Sequence, residues 1–191
     1  MTDLLVRLKR ALPSVRKWID DLHAQHSDQA SAAASLALPR LASCFPEVVL
    51  RSARAVTVGH IPFPPVSAYG LPEFEGMASM EMAGITFRNL YFVSQSYSVE
   101  SVHFHELVHV VQWNTLGADE FLLTYGLGVA QHGYMESPLE AIAYELQSRF
   151  ENGSVRPAIV DDVALHALAT RNSAELVFRS FGLTMSSREH R

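Results

Sequence analysis

Apolar side chains recur at spacings of three and four from Leu4 through Leu5, Leu8, Leu12, Val15, Trp18, Ile19 and Leu22. That period predicts an amphipathic helix over residues 3–25, bent or interrupted at Pro13, whose ring cannot complete the ladder. The Ala- and Leu-rich run 31–38 predicts a second helix ended by Pro39, with Pro46 keeping its own segment irregular and Cys44 buried nearby. Over 48–61 the β-branched run VVLRSARAVTVGHI predicts one or two strands. Residues 62–77 hold four prolines and two glycines and predict an irregular, extended segment. A strand is expected over 85–93, with Phe87, Tyr91 and Val93 on one parity. Helices are expected over 118–133, over 137–150 with Pro138 in the first turn, and over two shorter stretches, 157–169 and 173–181.

Periodicity leaves SVHFHELVHVVQWNTL, residues 101–116, undecided between helix and buried strand. Its chemistry arbitrates. His105-Glu106-Leu107-Val108-His109 is an HExxH pattern, and positions i and i+4 lie about 5–6 Å apart on a helix face but about 13 Å apart along a strand. Two imidazoles that share a metal ion therefore require a helix. Neutral imidazole nitrogens suit zinc, and Glu106, about 100° further round the helix, is placed to serve as general base toward water at the metal. A helix otherwise as apolar as Leu107, Val108, Val110, Val111 and Trp113 buries two histidines and a glutamate at a cost that a bound cation offsets.

A catalytic zinc takes a third protein ligand. Glu140 is favoured, with Glu136 and Glu145 in reserve, because it opens the helix at 137–150. The competing role for Glu140 is a capping box with Ser137. His103 points to another side of the helix, and His60, His132 and His166 lack a partner at metal spacing. A phenol donor for a developing oxyanion could come from Tyr125, Tyr134 or Tyr144, with Tyr134 preferred for its place beside the third ligand.

Composition narrows the setting. A chain of 191 residues, 48% hydrophobic and 18% charged, forms a core as one domain. A formal charge of −5 argues against nucleic acid or an anionic membrane as partner, and the bases between Arg7 and Lys17 fit a solvated helix face. The single Cys44 excludes an intramolecular disulfide and a cysteine-based zinc site. Without an apolar leader or a long uncharged apolar window, the expected address is the cytoplasm.

The string HELVHVVQW resembles the active helix of zincin-like metallopeptidases, above all bacterial domains with an HELxHVVQ helix. GITFRNLYFV resembles the strand that precedes that helix, and PLEAIAY resembles the later helix that carries a glutamate ligand, which implies Glu140 and the gluzincin type. The resemblance spans about residues 84–148. Taken with the periods along the rest of the chain, the expectation is an α+β, mostly helical single domain over 1–191, with a small sheet beside the HExxH helix and the N-terminal helices of 1–45 packed on a metal-site core at 84–150. The resemblance further implies one zinc ion per chain on His105, His109 and Glu140, a peptide or protein substrate laid along the edge strand 85–93, and peptide-bond hydrolysis with Glu106 as base. A binding module without catalysis, or a zinc hydrolase of non-peptide amides or esters, remains the alternative.

Overall fold

The computed structural model describes residues 1–185. α1, Thr2–His26, runs continuously through Pro13 and buries Leu5, Leu8, Leu12, Val15, Ile19 and Leu22, the stripe that the three-four spacing predicts. Two short helices come next, α2 (Leu41–Cys44) and α3 (Glu47–Ser52), and then a third, α4 (Glu75–Ala78). The larger helices are α5 (Glu100–Leu116), α6 (Ala118–His132), α7 (Pro138–Glu151) and α8 (Val160–Ser180). Four strands, β1 (Ser31–Ala32), β2 (Arg54–Val58), β3 (Gly84–Phe87) and β4 (Leu90–Ser94), form one sheet in the order β1-β2-β4-β3. β2 runs parallel to β4, and the outer pairs are antiparallel. The fold is thus α+β and mostly helical, with the sheet beside α5, as expected.

Several local expectations are corrected. The Ala-rich run 31–38 is not a helix but strand β1 followed by a 3-10 turn, Ala33–Ser35. A stretch this short does not hold a helix by propensity, and pairing of Ser31 with Ala55 and Ala32 with Arg54 decides it. Pro46 does not keep its neighbours irregular. It stands at the N-cap of α3, where its missing N–H costs nothing, so Val48 and Val49 are helical and the strand shrinks to Arg54–Val58. The Pro-rich segment folds into the 3-10 turns Val66–Tyr69 and Pro72–Phe74 and then α4.

The predicted strand 85–93 is a hairpin. Arg88 takes a left-handed φ of 60° and reverses the chain before Leu90, with its guanidinium held by Asp20 at 2.6 Å. The reversal splits the expected parity, since Phe87 packs with Leu90 and Phe92 in the core beneath α1, whereas Tyr91 and Val93 join the core around α5. The two shorter helices expected near the end are one, α8, because nothing in 170–172 breaks the ladder.

α5 is the axis of the molecule. Every residue from Val102 to Trp113 is buried, with α7 and α8 on one side and β3 and β4 on the other. Phe104 stacks on Phe150 and tilts against Phe45, while Trp113 stacks on Phe121 and donates its indole N–H to Thr86 O. These aromatic contacts fix the rotation of α5 about its axis and so fix where its polar face looks. Gly117, at φ 74°, ends α5 and opens α6 in the left-handed region, as a glycine can without strain. Among the described residues, no helix is long and apolar enough to cross a membrane.

Candidate metal centre

One turn of α5 presents His105 and His109 to the N-terminus of α7, where Glu140 stands in the first turn. The three side chains are buried and meet. Glu140 Oε2 lies 3.4 Å from His105 Nε2 and 3.4 Å from His109 Nε2, and the two Nε2 atoms are 3.0 Å apart. Glu136 and Glu145 are exposed, and Glu145 pairs with Arg149, so neither joins the cluster. The capping box does not form. Ser137 is the N-cap of α7, but its side chain makes no capping bond and its Oγ is buried without a partner.

The fit to a small divalent cation can be tested on these lengths. A point equidistant from the three corners of such a triangle lies about 1.9 Å from each, so an ion with bonds of about 2.0–2.1 Å fits just off the plane. Glu140 Oε2 is buried and has no hydrogen-bond partner, a costly state for a carboxylate oxygen that a cation relieves. Two imidazoles and one carboxylate are a zinc donor set.

Neighbouring groups orient each donor. Tyr125 OH donates to Glu140 Oε1 at 2.6 Å, which occupies one carboxylate oxygen and turns the other to the histidines. His109 Nδ1 meets Gln112 Oε1 at 2.8 Å, and Gln112 donates from Nε2 to Leu139 O at 2.9 Å. With Nδ1 carrying the proton, Nε2 of His109 keeps its lone pair for the centre. Tyr144 packs its ring on His105 at 4.6 Å, and its OH lies 3.4 Å from Tyr134 OH.

Glu106 leaves the helix toward β3. Thr86 Oγ1 donates to its Oε2 at 2.7 Å, and Gly84 makes room, since a Cβ there would stand 2.5 Å from Glu106 Oε1. Burial pushes the Glu106 carboxyl up, against the opposing pull of His105, His109 and Thr86. Burial also opposes a charged His109, but Glu140 outweighs it and raises His109 to about 9. Glu140 is likewise driven upward by burial, yet His109 and His105 hold it well below the usual carboxylate range. A proton on the imidazole pair thus compensates the buried carboxylate wherever no cation does. Burial and the Glu140 charge keep the phenols of Tyr125 and Tyr134 neutral, and therefore donors.

His103 lies off the cluster. It is buried, with Nδ1 at 3.1 Å from Tyr91 OH, and burial lowers its pKa. Tyr134 lines the cavity beside the centre, whereas Tyr125 is engaged with Glu140. Tyr125, one of the three candidate phenol donors, holds Glu140 instead, and three contributors escape sequence reasoning: Thr86, Gly84 and Gln112. Gln112 carried a signal, being three residues after His109 on one helix face. The others act across the fold and had none.

The cluster opens on a cavity of about 140 Å³ between α1, β3, α5, α6 and the segment 63–82. No family model matches this chain, and neither does any curated protein or solved structure.

Proposed function

We propose that the protein is a zinc-dependent peptidase of the zincin type, with His105, His109 and Glu140 as metal ligands and Glu106 as general base. The observation that carries this reading is the orphaned, buried Glu140 Oε2 at 3.4 Å from both Nε2 atoms. The HELVHVVQW resemblance supports the same reading, and so does a carboxylate, Glu106, that faces the cavity next to the three donors without joining them.

Zinc, when bound, supplies a Lewis acid that polarises a carbonyl and acidifies water. The chain's own residues do the rest. Glu106, raised by burial and steadied by Thr86, accepts the proton that water loses as its oxygen bonds to the carbonyl carbon. The same carboxyl then passes that proton to the amide nitrogen as the C–N bond breaks. Tyr134 has a neutral phenol at the cavity wall and is the donor assigned to the developing oxyanion, while Tyr125 holds Glu140 in place. β3 is the edge of the sheet, paired on one side with β4; Trp113 already donates to Thr86 O, so the place for an extended peptide is along its Gly84–Ile85 end.

The test combines elemental analysis with cleavage of a peptide library. One zinc per chain and cleavage abolished by a chelator are expected. Glu106→Gln is expected to keep the metal and to lose turnover by about 10²–10⁴-fold. Stoichiometric zinc with no cleavage of any peptide would instead identify a metal-binding module or a hydrolase of other amides or esters.

A further inference from the structure

The cavity beside the metal centre has a pronounced chemical asymmetry. Its polar lining is confined to the residues already described: the three donors with Glu106, Thr86, Tyr125 and Tyr134. The rest is carbon from four directions, including Leu12 and Val15 of α1, Phe63 and Phe74 of the Pro-rich segment, Ile85 of β3 and Phe121 of α6. Among the described residues, no Lys, Arg or Asp lines it and its two carboxylates, Glu106 and Glu140, stand at the metal end, so a charged group entering the apolar part would lose its hydration without a counter-charge there. Arg7 of α1 does not line the cavity. It ties α1 to the Pro-rich segment, two elements that do line the cavity, through Glu73 at 2.6 Å and Gly70 O at 2.7 Å.

Size narrows the occupant further. At about 140 Å³ the space compares with apolar protein cavities of about 150 Å³ that take up one benzene. A drug-sized ligand or a long acyl chain needs several times more, in the range of about 300–1,000 Å³. We infer that this chamber is the specificity pocket of the site and takes one large apolar side chain, of Phe or Leu size, from the residue next to the bond that is cut. The inference rests on the peptidase reading and adds to it which side chain the substrate must carry and which wall selects it. α1, outside the stretch that resembles a peptidase core, is part of that selection.

The experiment has two arms that fail separately. In the first, N-acetyl amides of Phe, Leu, Ala and Asp are titrated into metal-free and zinc-loaded protein, with the Trp113 indole N–H resonance as the readout. The Phe and Leu amides are expected to shift it in both forms, and the Ala and Asp amides in neither. In the second, the zinc-loaded protein is given peptides that differ at one position, and kcat/KM is expected to favour Phe and Leu over Ala by at least about 10-fold. Leu122→Trp and Ala11→Leu, which fill the chamber from opposite walls, are expected to abolish amide binding and to reverse the preference toward Ala; either variant suffices if the other does not fold. Amide binding without cleavage of any peptide supports the pocket and overturns the peptidase reading. Cleavage that is indifferent to this side chain, or that prefers a charged one, overturns the pocket and spares the peptidase reading. Absence of both binding and cleavage overturns both.

Discussion

At the scale of single residues, the metal centre is a problem of orientation. A carboxylate has two oxygens and can rotate, and Tyr125 removes that freedom by holding Glu140 Oε1 at 2.6 Å. Tyr125→Phe leaves the ring and its stacking on Phe121 intact but frees the carboxylate. Loss of such an outer partner is expected to weaken zinc binding by about 10–100-fold, measured by competition with a coloured chelator, with the fold unchanged by circular dichroism. Wild-type affinity in that variant would show that Glu140 is oriented by packing alone. Backbone strain is also a property of single residues. Ala158 is exposed at φ 58°, a left-handed conformation that costs a residue with a Cβ roughly 1–2 kcal/mol. Ala158→Gly relieves that strain, less glycine's greater loss of chain entropy, and a gain of about 0.5–1 kcal/mol in urea unfolding is expected.

At the scale of elements, two helices and a hairpin make the site, and each has a separate reason to be where it is. α5 is buried from Val102 to Trp113, and two of its polar residues find partners within the fold, Glu106 with Thr86 and Gln112 with Leu139 O, whereas His105 and His109 face a Glu140 oxygen that has no hydrogen-bond partner. α8 is anchored at its far end by Glu175, which accepts from Arg179 Nε at 2.8 Å and from the Met185 N–H at 3.0 Å. Burial raises this carboxyl, but Arg179 and the Met185 amide outweigh it and set it below its ordinary value of 4.5. A carboxyl lowered in the folded state contributes stability that is full above the unfolded value and is lost as pH falls through the folded one. Wild type is therefore expected to lose stability below about pH 4.5 more steeply than Glu175→Gln, as read from thermal midpoints between pH 3 and 6. Parallel profiles would show that the anchor contributes nothing.

For the whole molecule, α5, α7 and the sheet close around one buried charge cluster, so ligand binding and folding are linked. An ion that binds the folded chain alone stabilises it by about 2.7 kcal/mol at 100 times its dissociation constant. With about 2–4 °C per kcal/mol for a chain of this size, saturating zinc is expected to raise the melting temperature by about 5–10 °C, reversibly with a chelator. His105→Ala is expected to show no such shift. An equal shift in that variant would place the ion elsewhere. Because the imidazole pair holds a proton when His109 stands at about 9, uptake of the ion also displaces that proton.

Local spacing set a great deal by itself. The three-four repeat from Leu4 to Leu22 specifies the buried stripe of α1, and His105, Glu106 and His109 stand on α5 as one turn of helix requires, because both patterns depend on contacts within a few residues. Contacts between segments decided the remainder. The 31–38 run became the two-residue strand β1 and a 3-10 turn through pairing with β2, the 85–93 run became a hairpin through a reversal at Arg88, and Glu140 was separated from Glu136 and Glu145 by the packing of α7 on α5. Thr86, Gly84 and Tyr125 reach the site from β3 and α6, and the chamber owes a wall to α1. A sequence states which side chains lie one helical turn apart. Which distant segments meet them is set by how the buried faces pack together, and that depends on the whole chain at once.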